Sequence, residues 1–396
     1  MGAMHTDGLM IVQGGGPTAV FNASLAGIVA EAQQLRFSSI YGARFGMKGL
    51  SCGDVINLTS LTPDALEGIR LSPGASLGTS RFKPSGEDLD RCIQVLQSHG
   101  IGHMIFLGGN GTMSGAQRFQ EYCASRGLAL QVMGAPKTID NDINATDRCP
   151  GFGSAARYVA QSMVDLSMDL QSLPQPVSIM ETLGRDVGWL AAASVLAKQH
   201  SDDAPHIVCI PEIPFVMDDF LQRVDATVKR IGWASAVVSE GTCYADGTPV
   251  FEQVPPSGGK IPLRPLIGGV AQHLAGLLAE RLGLRCRNEK PGLIARSASP
   301  YVSLQDRADA ELTGRECVRA LAAGASGYMV SLCSVGSDPA FELIPLTEVA
   351  GQHRAIPKEW LRHDGLAVND AFLEYARPIV GPLQRYPASL SGHPAQ

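Results

Sequence analysis

The chain has 396 residues, 45% of them hydrophobic and 18% charged, a globular balance that excludes a disordered protein. This length exceeds one comfortable core and predicts a two-lobed molecule. A net charge of −6 provides no basic field for nucleic acid or an anionic membrane, so any anion site must be local.

The nine cysteines are widely spread and none falls in a C-x-x-C pair, which predicts reduced thiols rather than a zinc site or a disulfide framework. No apolar run reaches the ~18 residues that a membrane span needs. Residues 1–7 lack signal-peptide anatomy and are set aside from the fold, so a cytoplasmic location is expected.

In chain order, 9–13 reads as a buried strand and 17 to about 34 as a helix. Strand-like runs follow at 103–107 and 129–133, with a helical segment between them. A long helix is predicted near 154–170, then strands at 176–181, 206–210 and 234–239. This alternation favours mostly parallel sheets with helices on both faces, and in such folds ligands collect at the carboxyl ends of strands. The lobe boundary is expected near 150–153, with the chain crossing back around 294–297. Residues 245–267, with their proline and glycine runs, read as a loop excursion in which Lys260 could belong to a lid.

Two glycine turns follow strands. The first, GGGPTA at 14–19, satisfies a dinucleotide fingerprint, but 38–44 holds no Asp or Glu to bind a ribose, which argues against a nicotinamide cofactor. What survives is simpler: backbone N–H groups of a glycine turn before a helix bind phosphate. The second turn is GGNGT at 108–112, and two such turns suggest a polyphosphate held from two sides. Next comes PKTIDND at 136–142. Alternation along an extended stretch would put Thr138, Asp140 and Asp142 on one side, where two carboxylates can divide into a general base and a divalent-metal ligand. Lys137 beside them can pair a phosphate or neutralise the carboxylates.

With these segments in this order, the chain resembles the phosphofructokinase family. GASLGTSRF at 74–82, GFGSAA at 151–156, TLGRDVG at 182–188, SEG at 239–241 and GLIARS at 292–297 complete the set, which spans roughly 9–330. The resemblance implies an α/β fold of two Rossmann-like lobes with mostly parallel sheets. Residues 1–151 plus about 295–345 would bind the donor, 152–294 would bind a sugar phosphate, and 346–396 would form a C-terminal extension. It implies a Mg2+-dependent phosphotransferase acting on fructose 6-phosphate, as a homodimer or homotetramer. By the same resemblance Asp140 is the base, with Thr138, Lys137 and Arg185 also catalytic. Gly14, Gly15, Arg81, Gly109, Asn110, Gly111 and Thr112 would meet the donor. Thr138, Asp140, Leu183, Gly184, Arg185, Glu240, Arg287 and Arg296 would meet the acceptor, Arg287 from a neighbouring subunit. Asp142 and Asn110 would hold the metal.

The chain departs from the family pattern in three places. Asn110 replaces an aspartate that engages magnesium in many members. Gly111 stands where diphosphate users place an aspartate that would crowd and repel the α-phosphate of ATP; glycine leaves that space open and favours ATP as donor. Lys137 and the openings GGGPTAVFNASL and GFGSAARYVA instead resemble diphosphate users, which makes a diphosphate-dependent enzyme the alternative. Pro176 and Leu293 replace an arginine and a histidine that grip the 6-phosphate, so a kinase of another polyol, or a weakly catalytic sensor of sugar phosphate or nucleotide, also stays open.

Overall fold

The structure, a computed structural model, describes residues 7–172, 174, 177–252, 268–333 and 340–387. The described strands, numbered along the chain, are β1 (Gly8–Gln13), β2 (Ser39–Ala43), β3 (Val55–Asn57), β4 (Ile101–Gly108), β5 (Gln131–Pro136) and β6 (Val177–Thr182). They continue as β7 (Ile207–Cys209), β8 (Ala234–Ser239), β9 (Cys286–Glu289), β10 (Tyr328–Cys333) and β11 (Ala340–Pro345).

They build two sheets, a seven-stranded one in the order β11-β10-β5-β4-β1-β2-β3 and a four-stranded one in the order β7-β8-β6-β9. Within the first sheet β2–β3 and β10–β11 pair antiparallel and the remaining neighbours are parallel; the second is parallel throughout. The α/β class with two mainly parallel sheets is thus as the sequence predicts.

The chain divides into two compact units, 1–154 with 296–354 and 155–295 with 355–396. The expected extension at 346–396 is therefore not a separate body. Leu346 and Val349 join a core of the first unit. In the second unit, the rings of Trp360, Phe372 and Tyr375 lie 6.2, 5.9 and 5.5 Å from that of Trp189.

The first sheet is apolar on both faces because helices cover both. Met10, Val12, Met104 and Phe106 enter one core, while Leu9, Ile11, Ile105 and Leu107 enter the other, as side-chain alternation requires. Helices Phe21–Gln34 and Leu304–Ala322 cross so closely that a Cβ on Gly27 would stand 2.2 Å from the Glu311 carbonyl oxygen. That crossing brings Asp306 and Asp309 to the loop before helix Phe152–Leu170. Asp309 forms a buried ion pair with Arg148, Nε to Oδ2 at 2.6 Å. Asp306 accepts from the backbone N–H groups of Gly151 and Ser154 at 2.8 and 2.9 Å.

Helix Phe21–Gln34 starts four residues later than its sequence pattern suggests. Thr18 is engaged instead in a bridge to Gly74, whose N–H donates to the Thr18 carbonyl at 3.0 Å. Of the loop excursion, 245–252 is described, with a bridge between Cys243 and Pro249; Lys260 and Pro176 lie outside the described residues.

Candidate active site

In the first unit the two glycine turns meet where β1 and β4, paired in the sheet, end side by side. The Gly14 N–H donates to the Leu107 carbonyl at 2.8 Å. A Cβ on Gly14 would lie 2.6 Å from Thr112 Oγ1, and one on Gly108 only 2.2 Å from it, so Thr112 braces the two turns against each other and both positions need glycine. Gly109 caps the 16-residue helix Asn110–Ser125, whose leading N–H groups form an anion-binding end. The Gly111 Cβ direction meets no atom within 4 Å, so this is the open position the sequence predicts.

The loop carrying Arg81 is fastened to the first turn by two buried amides. Gln13 accepts from the Leu77 N–H at 3.0 Å, and Asn22 accepts from the Ser76 N–H at 2.8 Å. Lys137 follows β5 and is 2% exposed. Its Nζ donates to the Gly16 carbonyl at 2.5 Å and stands 4.3 Å from the Phe21 ring centroid. Burial pushes its ammonium down to about 7, and neighbouring Arg296 adds to the fall, while Asp140 and Asp142 oppose it. Arg296 Nη1 lies 3.0 Å from where a Gly16 Cβ would stand. Its pKa is lowered by burial and then by nearby Arg81, with Asp140 opposing. Arg81, Lys137 and Arg296 thus form a cationic group around the first turn, with Asp140 close to two of them.

The 138–142 segment is a turn, not the extended alternating stretch the sequence suggests. Asn141 sits at φ 55 with its side chain accepting from the Cys149 N–H at 2.9 Å, which breaks the period-two placement of Thr138, Asp140 and Asp142. Thr138 donates its N–H to the Pro150 carbonyl at 3.1 Å, and its Oγ1 accepts from the Asp140 N–H at 3.1 Å.

Asp142 Oδ2 accepts from Asn110 Nδ2 at 2.9 Å and meets His353 Nδ1 at 3.1 Å. Asn110 Oδ1 is buried without a hydrogen-bond partner, an acceptor that a cation would satisfy. Among the described residues no group of three or more His, Cys, Asp or Glu could hold a metal. Two oxygen donors beside a phosphate cradle nevertheless fit Mg2+, which is usually held by one or two carboxylates plus substrate phosphates.

The second unit carries the other predicted residues. Gly184, at φ 135, leaves no room for a side chain: a Cβ would meet the Val187 carbonyl oxygen at 2.7 Å and Ser239 Oγ at 2.9 Å. Its own carbonyl accepts from Ser239 Oγ at 2.5 Å and from the Gly241 N–H at 3.2 Å. Leu183, Gly184 and Arg185 are thereby knitted to Ser239, Glu240 and Gly241. Burial raises the Glu240 carboxyl above its usual range, nearby Glu181 adds to this, and Arg185 opposes it. Arg287 lies exposed on β9. Leu293 is 63% exposed and has no side-chain donor for a phosphate.

Three residues of this architecture escape sequence reading. Glu212 accepts from the Gly188 N–H at 3.0 Å and so holds the end of the 182–188 loop. Glu181 accepts from Gly269 and Ala271 at the start of helix Val270–Leu282. His353 meets Asp142 from 211 residues away. No local pattern announces any of them.

Glycine turns at strand ends before helices, a buried lysine and a carboxylate turn are the elements of a phosphotransferase-type α/β protein. The Phosphofructokinase family model matches residues 8–321, and the chain belongs to that family. A pyrophosphate–fructose 6-phosphate 1-phosphotransferase of Rhodospirillum rubrum is 34% identical over 381 residues, covering 94% of each chain. A sulfofructose kinase of Alkalicoccus urumqiensis is 35% identical over 324 residues, covering 81% of this chain and 82% of that protein. The crystal structure of a pyrophosphate-dependent phosphofructokinase from Nitrosospira multiformis superposes with a TM-score of 0.86 at 30% identity, covering 98% of this chain and 95% of that one.

Proposed function

We propose that this protein transfers a phosphoryl group from diphosphate to the 1-hydroxyl of fructose 6-phosphate. The observation that carries the donor is the cationic cluster on the first turn, with buried Lys137 bonded to Gly16 and Arg296 and Arg81 beside it. Such a tight group of cations suits a compact polyanion, which needs its whole charge neutralised within one cradle. The open space at Gly111 favours ATP when read alone. Missing bulk permits ATP but excludes nothing smaller, so it does not select against diphosphate. The likeness to diphosphate-dependent relatives over nearly the whole chain supports the same choice.

In this reading Gly14, Gly15, Gly109, Asn110, Gly111 and Thr112 form the donor cradle. Asp140 removes the proton as the sugar oxygen attacks phosphorus; the bridging P–O bond breaks and inorganic phosphate leaves. Thr138 orients Asp140 through the bond to its N–H. Lys137, Arg81 and Arg296 neutralise the transferring group. Leu183, Gly184, Arg185 and Glu240 take the acceptor, with Arg287 supplied to its phosphate by a second copy in a homodimer or homotetramer. Asp142 and Asn110 would hold Mg2+, which supplies charge neutralisation on phosphate oxygens.

A second reading replaces the acceptor's phosphate by a sulfonate. It is favoured by the likeness to a sulfofructose kinase. A matrix of diphosphate and ATP against fructose 6-phosphate, 6-deoxy-6-sulfofructose and fructose separates these readings. Turnover with diphosphate and fructose 6-phosphate at least tenfold above every other pair is expected. A preference for ATP, or for the sulfonate, overturns the corresponding half of the assignment.

A further inference from the structure

His353 lies outside every motif discussed above, yet it reaches the centre of the first unit's site. The chain after helix Leu346–Val349 returns across the carboxylate turn, where His353 bridges antiparallel to Ile143 and the Arg354 N–H donates to the Asp142 carbonyl at 2.8 Å. This backbone register delivers the imidazole to Asp142, Nδ1 to Oδ2 at 3.1 Å. An ionised carboxylate can only accept, so this contact requires the imidazole proton on Nδ1, a nitrogen that Asn110 Nδ2 also approaches at 3.3 Å. Among the described residues, His353 and Asn110 supply the side-chain contacts to the Asp142 carboxylate. The Asn110 amide nitrogen directs its hydrogens to the same residue, at 2.9 Å to Oδ2 and 3.2 Å to the carbonyl.

Both side-chain contacts converge on Oδ2, which locks the carboxylate plane and leaves Oδ1 for a ligand. The Asp142 side chain is only 13% exposed, whereas that of His353 is 49% exposed. A half-exposed imidazole gains little from burial here, and what it does is fix the carboxylate. We infer that His353 is a positioning residue for the divalent-cation site, holding Asp142 so that its second oxygen faces the ion. The inference rests on the reading of Asp142 as a metal ligand. Residues that orient a ligating side chain in this way typically affect metal affinity by about 10–100-fold.

The test is Mn2+ titrated alone into the full chain, read by the loss of the free-ion electron paramagnetic resonance signal, with thermal melting of the metal-free protein alongside. His353→Ala is expected to weaken Mn2+ binding by about 10-fold or more without lowering the metal-free melting temperature. His353→Asn, which retains a donor at the Nδ1 position, is expected to restore most of the affinity. Asp142→Asn is expected to abolish the site. Wild-type affinity in His353→Ala, with the site lost in Asp142→Asn, overturns the role of His353, as does a failure of His353→Asn to restore binding. Unchanged binding in Asp142→Asn, or no Mn2+ site in the wild type, overturns the metal reading beneath it.

Discussion

Lys137 provides the sharpest perturbation, because its charge is held in a place that disfavours it. Burial lowers its pKa from 10.5 to about 7. Above pH 7 the unfolded chain therefore holds a proton that the folded chain has released, so stability rises as pH climbs from about 7 toward 10.5. At about 1.4 kcal/mol per pH unit, the full span corresponds to about 5 kcal/mol, and the interval from about pH 7 to about pH 9.5 to about 3 kcal/mol. Lys137→Met keeps most of the apolar contact with Phe21 and removes the titration. Denaturant unfolding of wild type and variant at both pH values isolates this contribution, since other groups cancel in the difference. Wild type is expected to gain about 3 kcal/mol more than the variant over that interval. Diphosphate should reverse the trend, because an anion beside Nζ favours the ammonium; above about pH 7 its affinity for wild type should fall relative to its affinity for the variant, which shares the ligand's own titration. Parallel stability profiles for the two proteins would refute the depressed ammonium at Lys137.

Asp140→Ala should keep the melting temperature and slow turnover by about 10²–10⁴-fold, the range for losing general-base help; near-normal turnover in the purified variant removes Asp140 from that role. Gly111→Asp places a carboxylate in space that is open within 4 Å, and should suppress ATP use far more than diphosphate use in parallel donor assays. Equal losses would make Gly111 a turn glycine and nothing more. Arg296→Ala should lower kcat/KM by about 1.5–3 kcal/mol, the cost of a lost charged hydrogen bond. Because Arg296 lies against Gly16 beside Arg81, the loss should persist with fructose in place of fructose 6-phosphate; a loss confined to the phosphorylated sugar would assign it to the acceptor's phosphate.

The sheets were legible because their strands announce themselves. β1 and β4 are apolar runs of six and eight residues ending in glycine turns, a pattern that burial on both faces forces on parallel strands. The start of helix Phe21–Gln34 was less legible. Pro17 is a good first helical residue, but the tertiary bridge from Thr18 to Gly74 outweighs that local preference. The division of 346–396 between the units was hidden for a similar reason. Phe372 and Tyr375 share the apolar face of helix Asp370–Val380, a readable helical period, but nothing local says that this face and Trp360 pack on Trp189, far away in sequence.

The same distinction governs the site. Glycines and carboxylates at strand ends could be read because the chemistry demands those residue types at those spacings. What holds them could not, because it arrives from other parts of the chain. The carboxylate turn shows the difference most clearly. Period-two alternation fails there because Asn141 enters the left-handed region, and a local turn would be free to relax from it. It does not relax because Asn141 accepts from Cys149, Thr138 is bound to Pro150, and Gly151 is gripped by Asp306. Asp306 is itself held in place by the helix crossing at Gly27 and Gly314, where a Cβ would stand 2.2 and 2.3 Å from the opposing backbone. The position of Asp140, the proposed general base, is thus set by a chain of contacts reaching to a helix crossing more than 100 residues from it along the sequence on either side. A substitution at that crossing should therefore disturb Asp140 without touching any residue of the motif that contains it.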